Sequence, residues 1–203
     1  MTPRRRLVLA SGSTARLRVL RDAGFDPEVS VSGADEDVDG LDTARAVATL
    51  AERKGRVVAE RFPDALVVAC DSLLDVDGVA LGKPDSRDGA AAMCRQLAGR
   101  RAVLMTGHWL ADTRTGATAH AVEATEVRFG PMTEAEIQAY VATAEPLALA
   151  GAFSLEGYGG PFVDAVDGSP SNVLGLSLPL LRRMLAELET GVPDLWRRPD
   201  GPT

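Results

Sequence analysis

Short apolar runs alternate with segments of helical periodicity from the start of the chain. Residues 7–10 are apolar, a Ser/Gly turn follows, and Leu17 and Leu20 then recur at helical spacing. This order predicts a strand, a tight turn and a helix. Residues 65–70 form a continuous apolar run, which is typical of a strand covered on both faces and predicts that this strand ends at Asp71.

The same alternation continues to about residue 190. Further strands are predicted at residues 28–32, 101–111, 118–129 and 162–166, and further helices at 43–61, 86–98, 134–143 and 178–189. Thr133 and Glu136 form a capping box at the start of helix 134–143. Because strands and helices alternate, the sequence predicts an α/β fold. We expect a single domain over residues 1–190 and a Pro- and Gly-rich tail, residues 191–203, that frays.

The composition narrows the classes of partner. The chain has 203 residues and a net charge of −7, and only 4% of it is aromatic, so we expect no nucleic-acid partner. No run approaches the roughly 18 apolar residues of a membrane span, so we expect no membrane partner. Cys70 and Cys94 form neither a disulfide framework nor a metal-binding pattern, and we expect buried thiols in a cytoplasmic protein.

The turn after the first strand has the chemistry of an anion site. The first N–H groups of a helix lack partners within the helix and carry partial positive charge, which favours phosphate. Ser11 and Ser13 add hydroxyl donors, and Arg16 adds a fixed cation one turn into the helix. The sequence therefore predicts that this corner binds an anion.

Two lysines are further candidates for the same chemistry. Lys54 lies on the apolar stripe of helix 43–61, where an ammonium group is costly unless an anion pairs with it or its stem reaches water. Lys83 lies between Gly82 and Pro84, which would hold it in a defined place, although a solvated turn lysine has the same pattern.

Two carboxylates complete the candidate set. Asp71 follows a buried strand, where ligands of open α/β sheets bind and where a carboxylate can orient a water molecule or simply begin a turn. Glu36, in the acidic segment 33–41, could hold Mg²⁺ or Mn²⁺ or belong to a solvated loop. His108 and His120 are too few and too scattered for a histidine metal site or a triad, and we expect both to be structural.

In this order and spacing, these motifs resemble the Maf family, the nucleoside triphosphate pyrophosphatases first named as septum-formation inhibitors. The resemblance covers about residues 5–188 and opens with Ser11-Gly12-Ser13-Thr14-Ala15-Arg16, which is similar to the family's Ser-x-Ser-Pro-x-Arg. It continues through Asp35-Glu36, Leu50-Ala51-Glu52-Arg53-Lys54, Asp71-Ser72, Gly82-Lys83-Pro84, Thr106-Gly107, Gly151-Ala152-Phe153-Ser154-Leu155-Glu156-Gly157 and Asn172-Val173-Leu174-Gly175-Leu176.

The resemblance implies a mixed, twisted sheet with flanking helices and two lobes around a central cleft, similar to inosine triphosphatases, commonly as a homodimer. It implies hydrolysis of nucleoside triphosphates to the monophosphate and pyrophosphate with a divalent metal, Mg²⁺ or Mn²⁺, and the removal of modified nucleotides. Asp71 matches the family's general base, and Glu36 matches its acidic residue near the metal. Arg16, Lys54 and Lys83 match its phosphate-binding cations.

The chain departs from the family pattern at Thr14, which replaces the usual Pro and can itself cap a helix. It departs again at Ala148 and Leu149, where many members have Asp-Lys, so one ion pair or phosphate contact is expected to be missing.

A third departure concerns the positions where the family sets base preference, which are Ala15, Ser72 and Glu156 in this chain. Members that act on thymidine and uridine triphosphates tend to have Arg, Thr and Gln there. An ionised Glu156 only accepts hydrogen bonds, which suits the N–H groups of a guanine-like edge better than the mixed edge of uracil.

Two other functions fit the same motifs. A non-catalytic nucleotide-binding regulator of cell division would use the same phosphate contacts, and the loss of Asp-Lys at Ala148 and Leu149 leaves room for it. A nucleotidyltransferase also needs phosphate contacts and a metal, but the sequence suggests no second substrate site. Release of pyrophosphate and free monophosphate separates hydrolysis from both.

Overall fold

The computed structural model describes residues 5–197, which form an α/β fold on a single sheet. The strands are β1 (Leu7–Leu9), β2 (Glu28–Val29), β3 (Leu66–Val76), β4 (Val79–Leu81), β5 (Arg101–Asp112), β6 (Thr118–Phe129) and β7 (Val163–Asp167). The helices are α1 (Thr14–Asp22), α2 (Thr43–Ala59), α3 (Arg87–Leu97), α4 (Glu134–Ala142), α5 (Pro170–Val173) and α6 (Leu178–Glu187). Short 3-10 helices lie at Glu145–Ala148, Ala150–Ala152, Gly157–Phe162 and Val192–Leu195.

The sheet is mixed. Its strand order is β2-β1-β3-β5-β6-β7, and β4 pairs with the second half of β3. The β1 strand runs parallel to β2 and β3, whereas β3, β5, β6 and β7 pair antiparallel. The expected mixed sheet with flanking helices is confirmed.

The first part of the hydrophobic core covers both faces of the sheet around β1 and the first half of β3. Successive strand residues point to opposite faces. Val68 accordingly belongs to a cluster with Leu20 of α1 and Met184 of α6. Its neighbour Val67 belongs to a different cluster, with Trp109 and the apolar residues of α2.

A second part of the core lies along the other half of β3. Leu74, Leu104 and Phe129 form a cluster between the strands and the segment that follows α4. Ala91 of α3 and Ile137 of α4 belong to a neighbouring cluster. The long strands β3 and β5 therefore connect two parts of the core, in keeping with the two-lobed arrangement that the resemblance implies.

The expectation that β3 ends at Asp71 is wrong. Asp71 lies in the middle of the strand and pairs with Gly107 of β5. The apolar run stops there because the strand leaves the two-sided core: residues 71–73 are half-buried, and Leu74 is fully buried again. Asp71 therefore projects from regular strand backbone, which fixes its position more firmly than a turn would.

The structure also has elements that the pattern did not predict. Asp77 and Gly78, both with positive φ (53° and 83°), form the two-residue turn that joins β3 to β4. An Asp-Gly pair is a known hairpin signal, and it was present in the sequence. The helix α5, at four residues, is too short to show a period.

Several element ends differ from the prediction. The second strand is two residues long rather than five, because the chain leaves the sheet after Val29, and Arg61 then binds the carbonyl oxygens of Val31 and Ser32. The helix α6 ends at Glu187, and Glu189 has a left-handed φ of 52°.

The packed chain extends beyond the boundary expected at residue 190. Leu195 is fully buried, and Trp196 forms a bridge with Phe25. The remainder of the expected tail, residues 198–203, lies outside the described residues. The capping box of Thr133 and Glu136 is confirmed at the start of α4. Within residues 5–197, no helix is long and apolar enough to cross a membrane.

Candidate active site

A cleft of about 870 Å³ opens between the β1–α1 turn, the middle of β3 and the segment that follows α4. Every candidate site residue predicted from the sequence lines it, although several come from distant parts of the chain. These residues are Ser11, Ser13, Ala15, Arg16, Glu36, Lys54, Asp71, Ser72, Lys83 and Glu156.

The two serines of the β1–α1 turn are arranged to donate hydrogen bonds into the cleft. Ser13 is the N-cap of α1 and accepts the backbone N–H of Arg16. The Ser11 hydroxyl oxygen accepts two hydrogen bonds, from the Ser13 N–H and from the Arg16 side chain, both at 3.2 Å. A hydroxyl group has two acceptor positions and one donor. The Ser11 O–H therefore remains as a donor for an anion.

The Arg16 guanidinium is fixed by three hydrogen bonds to three segments of the chain. Its Nε donates to the Gly175 carbonyl oxygen at 2.8 Å, and its terminal nitrogens donate to the hydroxyl oxygens of Ser11 (3.2 Å) and Ser72 (3.0 Å). Arginine carries five N–H donors, so two remain for a ligand. The side chain is held in one orientation before any ligand arrives.

A buried chain of hydroxyl groups supports Ser72 from behind. Its hydroxyl lies 2.9 Å from that of Thr106, which in turn donates to the Asn172 carbonyl oxygen at 3.4 Å. Thr106 and Asn172 are fully buried. The structure thus uses Ser72 to hold Arg16, and its role in base selection stays a prediction.

The ammonium group of Lys54 joins two carboxylates across the cleft. Its Nζ lies 2.5 Å from Asp71 Oδ1 and 2.7 Å from Glu36 Oε1. Of the two alternatives that the sequence left open for Lys54, the structure shows the one with anionic partners. Burial by itself lowers the pKa of Lys54, but the charges and hydrogen bonds of Asp71 and Glu36 outweigh it, so the pKa is raised. Lys54 is a permanent cation at neutral pH.

Lys83 is more exposed to solvent than Lys54. It is exposed at the edge of the cleft, and within residues 5–197 it has no ion pair. Its backbone is nonetheless anchored, because the neighbouring Gly82 carbonyl oxygen accepts the Gly151 N–H at 2.8 Å. The chain contains only two lysines, and both line this cleft.

The carboxylates of Glu36 and Asp71 are the groups that suit a divalent cation. They lie on the same ammonium group and are therefore close to each other. Within the described range, no group of three or more histidine, cysteine or acidic side chains could hold a metal. Mg²⁺ is commonly held by one or two carboxylates together with substrate phosphates, so this pair fits such an ion only when a ligand supplies further oxygens.

One contact across the cleft was not predicted. Arg18 of α1 forms an ion pair with Glu156, which precedes the 3-10 helix Gly157–Phe162. Both side chains line the cleft. No periodicity in the sequence connects two residues so far apart. The one available signal was that Arg18 lies one helical turn after Ala15, on the same side of α1.

His108 has the structural role that was expected. It is buried, its Nδ1 donates to the Thr106 carbonyl oxygen (3.0 Å), and its Nε2 accepts the Ser177 N–H (2.8 Å). Burial lowers the pKa of His108 to about 4, so the ring is neutral. Cys70 and Cys94 are free, buried thiols, as expected.

The cleft has a different charge from the chain as a whole. The protein carries −7, whereas the side chains that line the cleft include four cations and three anions. The three anions all pair with cations: Glu36 and Asp71 with Lys54, and Glu156 with Arg18. Arg16 and Lys83 are therefore available to an anionic ligand.

Comparisons with known proteins show similarity over nearly the whole chain. The family model described as Maf-like protein matches residues 6–188. The nucleoside triphosphate pyrophosphatase of Streptomyces coelicolor is 54% identical over 96% of both chains. Proteins of the same name from a Mycobacterium species and from Salinispora tropica are 50% and 46% identical; each alignment covers 95% of this chain, and they cover 99% and 88% of those proteins.

Among solved structures, the Ham1 protein of Staphylococcus aureus matches with a TM-score of 0.44 and 16% identity, over 62% of this chain and 72% of that one. The family model covers nearly the whole described chain, and the relatives align almost end to end. The chain belongs to the Maf-like protein family.

Proposed function

We propose that this protein is a nucleoside triphosphate pyrophosphatase, the activity for which its relatives are named. It would hydrolyse its substrate at the α-phosphorus to give a nucleoside monophosphate and pyrophosphate. The observation that carries the proposal is the contact between Asp71 and Lys54 in the cleft where Arg16 is fixed. A base, a partly buried cation and a preformed phosphate site are the groups that this reaction needs.

The phosphate chain would bind along the β1–α1 turn. The O–H groups of Ser11 and Ser13, the first N–H groups of α1 and the two remaining donors of Arg16 face anionic oxygens there. Lys54 and Lys83 would neutralise the charge that develops on the departing pyrophosphate. Since phosphoryl transfer depends mainly on positioning and charge stabilisation, these groups would supply most of the rate.

Asp71 would act on the attacking water molecule. The water oxygen forms a bond to the α-phosphorus, its proton passes to the Asp71 carboxylate, and the bridging oxygen leaves with the electron pair as pyrophosphate. A positioned general base contributes about 10² to 10⁴ in rate. The strand position of Asp71 and its contact with Lys54 support this role, because both hold the carboxylate in place.

Glu36 would hold the divalent cation, Mg²⁺ or Mn²⁺, beside Asp71. The ion would supply charge neutralisation at the phosphates. When the ion binds, the carboxylate of Glu36 would release Lys54 and contact the ion instead. Its side chain is 67% exposed, so the exchange requires little rearrangement of the protein.

The biological setting belongs to the same proposal. A triphosphatase of this kind would remove modified nucleotides before they are incorporated, and it would work in the cytoplasm, where nucleotides are held and thiols such as Cys70 stay reduced. That it works as a homodimer stays a prediction.

The site of attack can be tested by the fate of oxygen from labelled water. Purified protein is incubated with nucleoside triphosphates and Mg²⁺ or Mn²⁺ in H₂¹⁸O, and the products are analysed by mass spectrometry. The proposal predicts one ¹⁸O in the monophosphate, none in pyrophosphate, and no reaction after chelation of the metal. Label in pyrophosphate, or release of single phosphates, would contradict it.

The same experiment tests the alternative function, that of a non-catalytic nucleotide-binding regulator of cell division. Ala148 and Leu149, which stand where many family members have Asp-Lys, line the cleft, and this replacement leaves room for the regulator. Nucleotide binding without release of pyrophosphate, with metal present, would favour a regulator. A nucleotide transferred to another acceptor would indicate a nucleotidyltransferase.

A further inference from the structure

Two of the hydrogen bonds that fix Arg16 belong to a closed ring of contacts. One branch of the ring runs from Arg16 Nε to the Gly175 carbonyl oxygen, and the Gly175 N–H donates to the Asn172 carbonyl oxygen, both at 2.8 Å. The other branch runs from a terminal nitrogen of Arg16 through the hydroxyls of Ser72 (3.0 Å) and Thr106 (2.9 Å from Ser72) to the same carbonyl oxygen at 3.4 Å. Both branches therefore begin on one guanidinium and end on one oxygen atom.

The residue that closes the ring, Asn172, is held by the sheet. Its side chain is fully buried, and its Nδ2 donates to the backbone carbonyl oxygens of Leu104 in β5 and Glu123 in β6, both at 3.3 Å. The same group lies 3.0 Å from the hydroxyl oxygen of Thr125. Buried hydrogen bonds of this kind are electrostatically stronger than bonds in water. The ring therefore connects the guanidinium to two long strands of the sheet.

One arrangement of the hydroxyl protons satisfies every donor of the ring. Thr106 has a single O–H group. When Thr106 donates it to Asn172, the Ser72 O–H donates to Thr106, and the Ser72 oxygen accepts from Arg16. In the reverse arrangement the Ser72 O–H has no acceptor within residues 5–197. The hydrogen bonds therefore run in one direction, from Arg16 towards Asn172, and bonds aligned in this way polarise and strengthen one another.

Packing alone does not explain the hydroxyl group of Thr106. The residue lies directly opposite Ser72 in the neighbouring strand and is fully buried. Valine has nearly the same shape, favours strands and buries no polar atom. In the described part of the chain, the partners of the hydroxyl are Ser72 and the Asn172 carbonyl oxygen, and both belong to the ring. The hydroxyl therefore serves the ring rather than the core.

We propose that Thr106 is a positioning residue of the site: its buried hydroxyl orients Ser72, and Ser72 in turn orients the guanidinium of Arg16 towards the phosphates. Thr106 does not line the cleft, so it acts only through these two residues. A side chain that is fixed before the ligand arrives loses less conformational entropy on binding. This inference rests on the proposed function, because it takes the ligand of Arg16 to be the phosphate chain.

The orientation of Arg16 can be followed without a ligand, by NMR measurement of the exchange of its Nε–H with water. The hydrogen bond to Gly175 protects this proton, and the variant Arg16→Lys, which lacks it, assigns the signal. We expect exchange to be about tenfold faster in Thr106→Val, which removes the hydroxyl and keeps the shape, because the guanidinium then leaves its partners more often. Thr106→Ser, which keeps the hydroxyl, should restore slow exchange.

A double-mutant cycle tests whether Thr106 acts through Ser72. The exchange rate of the Arg16 Nε–H, and kcat/KM for the best substrate of a nucleoside triphosphate panel, are measured in the wild type, Thr106→Val, Ser72→Ala and the double variant. We expect each single substitution to lower kcat/KM by about tenfold, and the double variant to lose little more than Ser72→Ala alone. Losses that simply multiply in the double variant would overturn the inference.

The matched control is Thr190→Val, which removes another buried hydroxyl. That hydroxyl donates to the Leu188 carbonyl oxygen at 3.1 Å, away from the cleft, so the control should keep wild-type exchange and kinetics. Thr106→Ala gives the same comparison if Thr106→Val does not fold. Unchanged Nε–H exchange in the folded Thr106 variant, or an equal change in Thr190→Val, would overturn the inference. Absence of pyrophosphate release from the wild type would instead contradict the proposed function, and the exchange rates would still test the position of Arg16.

Discussion

The Arg16 side chain and the Gly175 carbonyl oxygen are joined by a 2.8 Å hydrogen bond, although 159 residues separate them in the chain. Gly175 has a φ of 94°, and a Cβ at this position would lie 2.9 Å from Arg16 Nε. Only glycine therefore combines this backbone conformation with such close approach. The contact couples the segment after α5 to the candidate phosphate site.

The variant Gly175→Ala tests that coupling. The added methyl group should displace the guanidinium from its three partners, and kcat/KM should fall by about tenfold or more, since a hydrogen bond to a charged group is lost or misplaced. The left-handed backbone also adds strain of roughly 1–2 kcal/mol. Steady-state kinetics and urea unfolding measure the two effects separately.

Gly116→Ala is the matched control. Gly116 has a φ of 79° and no atom near the position of a Cβ, so it has the same backbone penalty without contact to the site. We expect the control to lose stability and keep its activity. Equal activity in the two variants would show that the position of Arg16 does not depend on Gly175.

The two lysines should differ in their reaction with an amine-selective reagent such as acetic anhydride. Lys83 is exposed and should be modified first, whereas the side chain of Lys54 is only 15% exposed and its ammonium group contacts two carboxylates. A nucleoside triphosphate with Mg²⁺ should protect Lys83, because its ammonium would then contact phosphate. Mass spectrometry of the digested protein measures modification at each site. Because the chain has no further lysine, every peptide with an acetylated lysine contains Lys54 or Lys83.

The variant Lys83→Ala tests by kinetics whether the Lys83 ammonium contacts the phosphates. We expect a higher KM and a lower kcat together, with kcat/KM lower by about 10- to 100-fold, and no change in stability. Arg87→Ala, at the exposed start of α3, removes a nearby charge that does not line the cleft. If Lys83 is modified equally fast with and without nucleotide, and Lys83→Ala keeps normal kinetics, Lys83 does not belong to the site.

The buried His108 predicts a pH dependence of stability. Burial lowers the pKa of His108 to about 4, whereas the unfolded chain has the ordinary value of 6.5. Between these values the unfolded state binds a proton that the folded state does not. The free energy of unfolding should therefore fall as the pH drops from 6.5 towards 4, by about 3 kcal/mol in total.

Urea unfolding at pH 7 and pH 4.5 measures this effect. A variant of His120, the only other histidine in the chain, serves as the control. His108→Gln should be less stable than the wild type at pH 7, and the difference should shrink in acid. His120→Gln, which removes an exposed ring, should keep the wild-type pH dependence. Parallel pH profiles for the wild type and His108→Gln would contradict the assignment of a neutral, buried imidazole.

The sequence predicted the order of most elements because apolar periodicity is a local signal. The capping box of Thr133 is equally local and was predicted directly, whereas the N-cap of α1 is Ser13 and not Thr14, which could also cap a helix. The end of β3 was misplaced for a physical reason: the apolar pattern reports burial, and at Asp71 the strand continues while its burial changes. The Asp77-Gly78 turn between β3 and β4 is a local signal of the same kind.

Contacts between distant segments of the chain could not be predicted from the sequence in the same way. That Lys54 needs an anion followed from its place on an apolar stripe, but the sequence could not show that Asp71 and Glu36 share it. The pair of Arg18 and Glu156 depends on how α1 faces the segment after α4, which no single-sequence pattern encodes. Residue chemistry alone indicated seven of the cleft residues, and the resemblance to the Maf family added Ala15, Ser72 and Glu156.

The central claim, that Asp71 activates water in this cleft, is tested most directly by Asp71→Asn. The amide keeps the shape of the side chain and the hydrogen bond from Lys54 but cannot take a proton at neutral pH. We predict that the rate of pyrophosphate release falls by about 10² to 10⁴ while the melting temperature and the binding of an α,β-methylene analogue change little. Asp88→Asn, at an exposed position outside the cleft, should match the wild type. Near-normal turnover by folded Asp71→Asn would contradict the account.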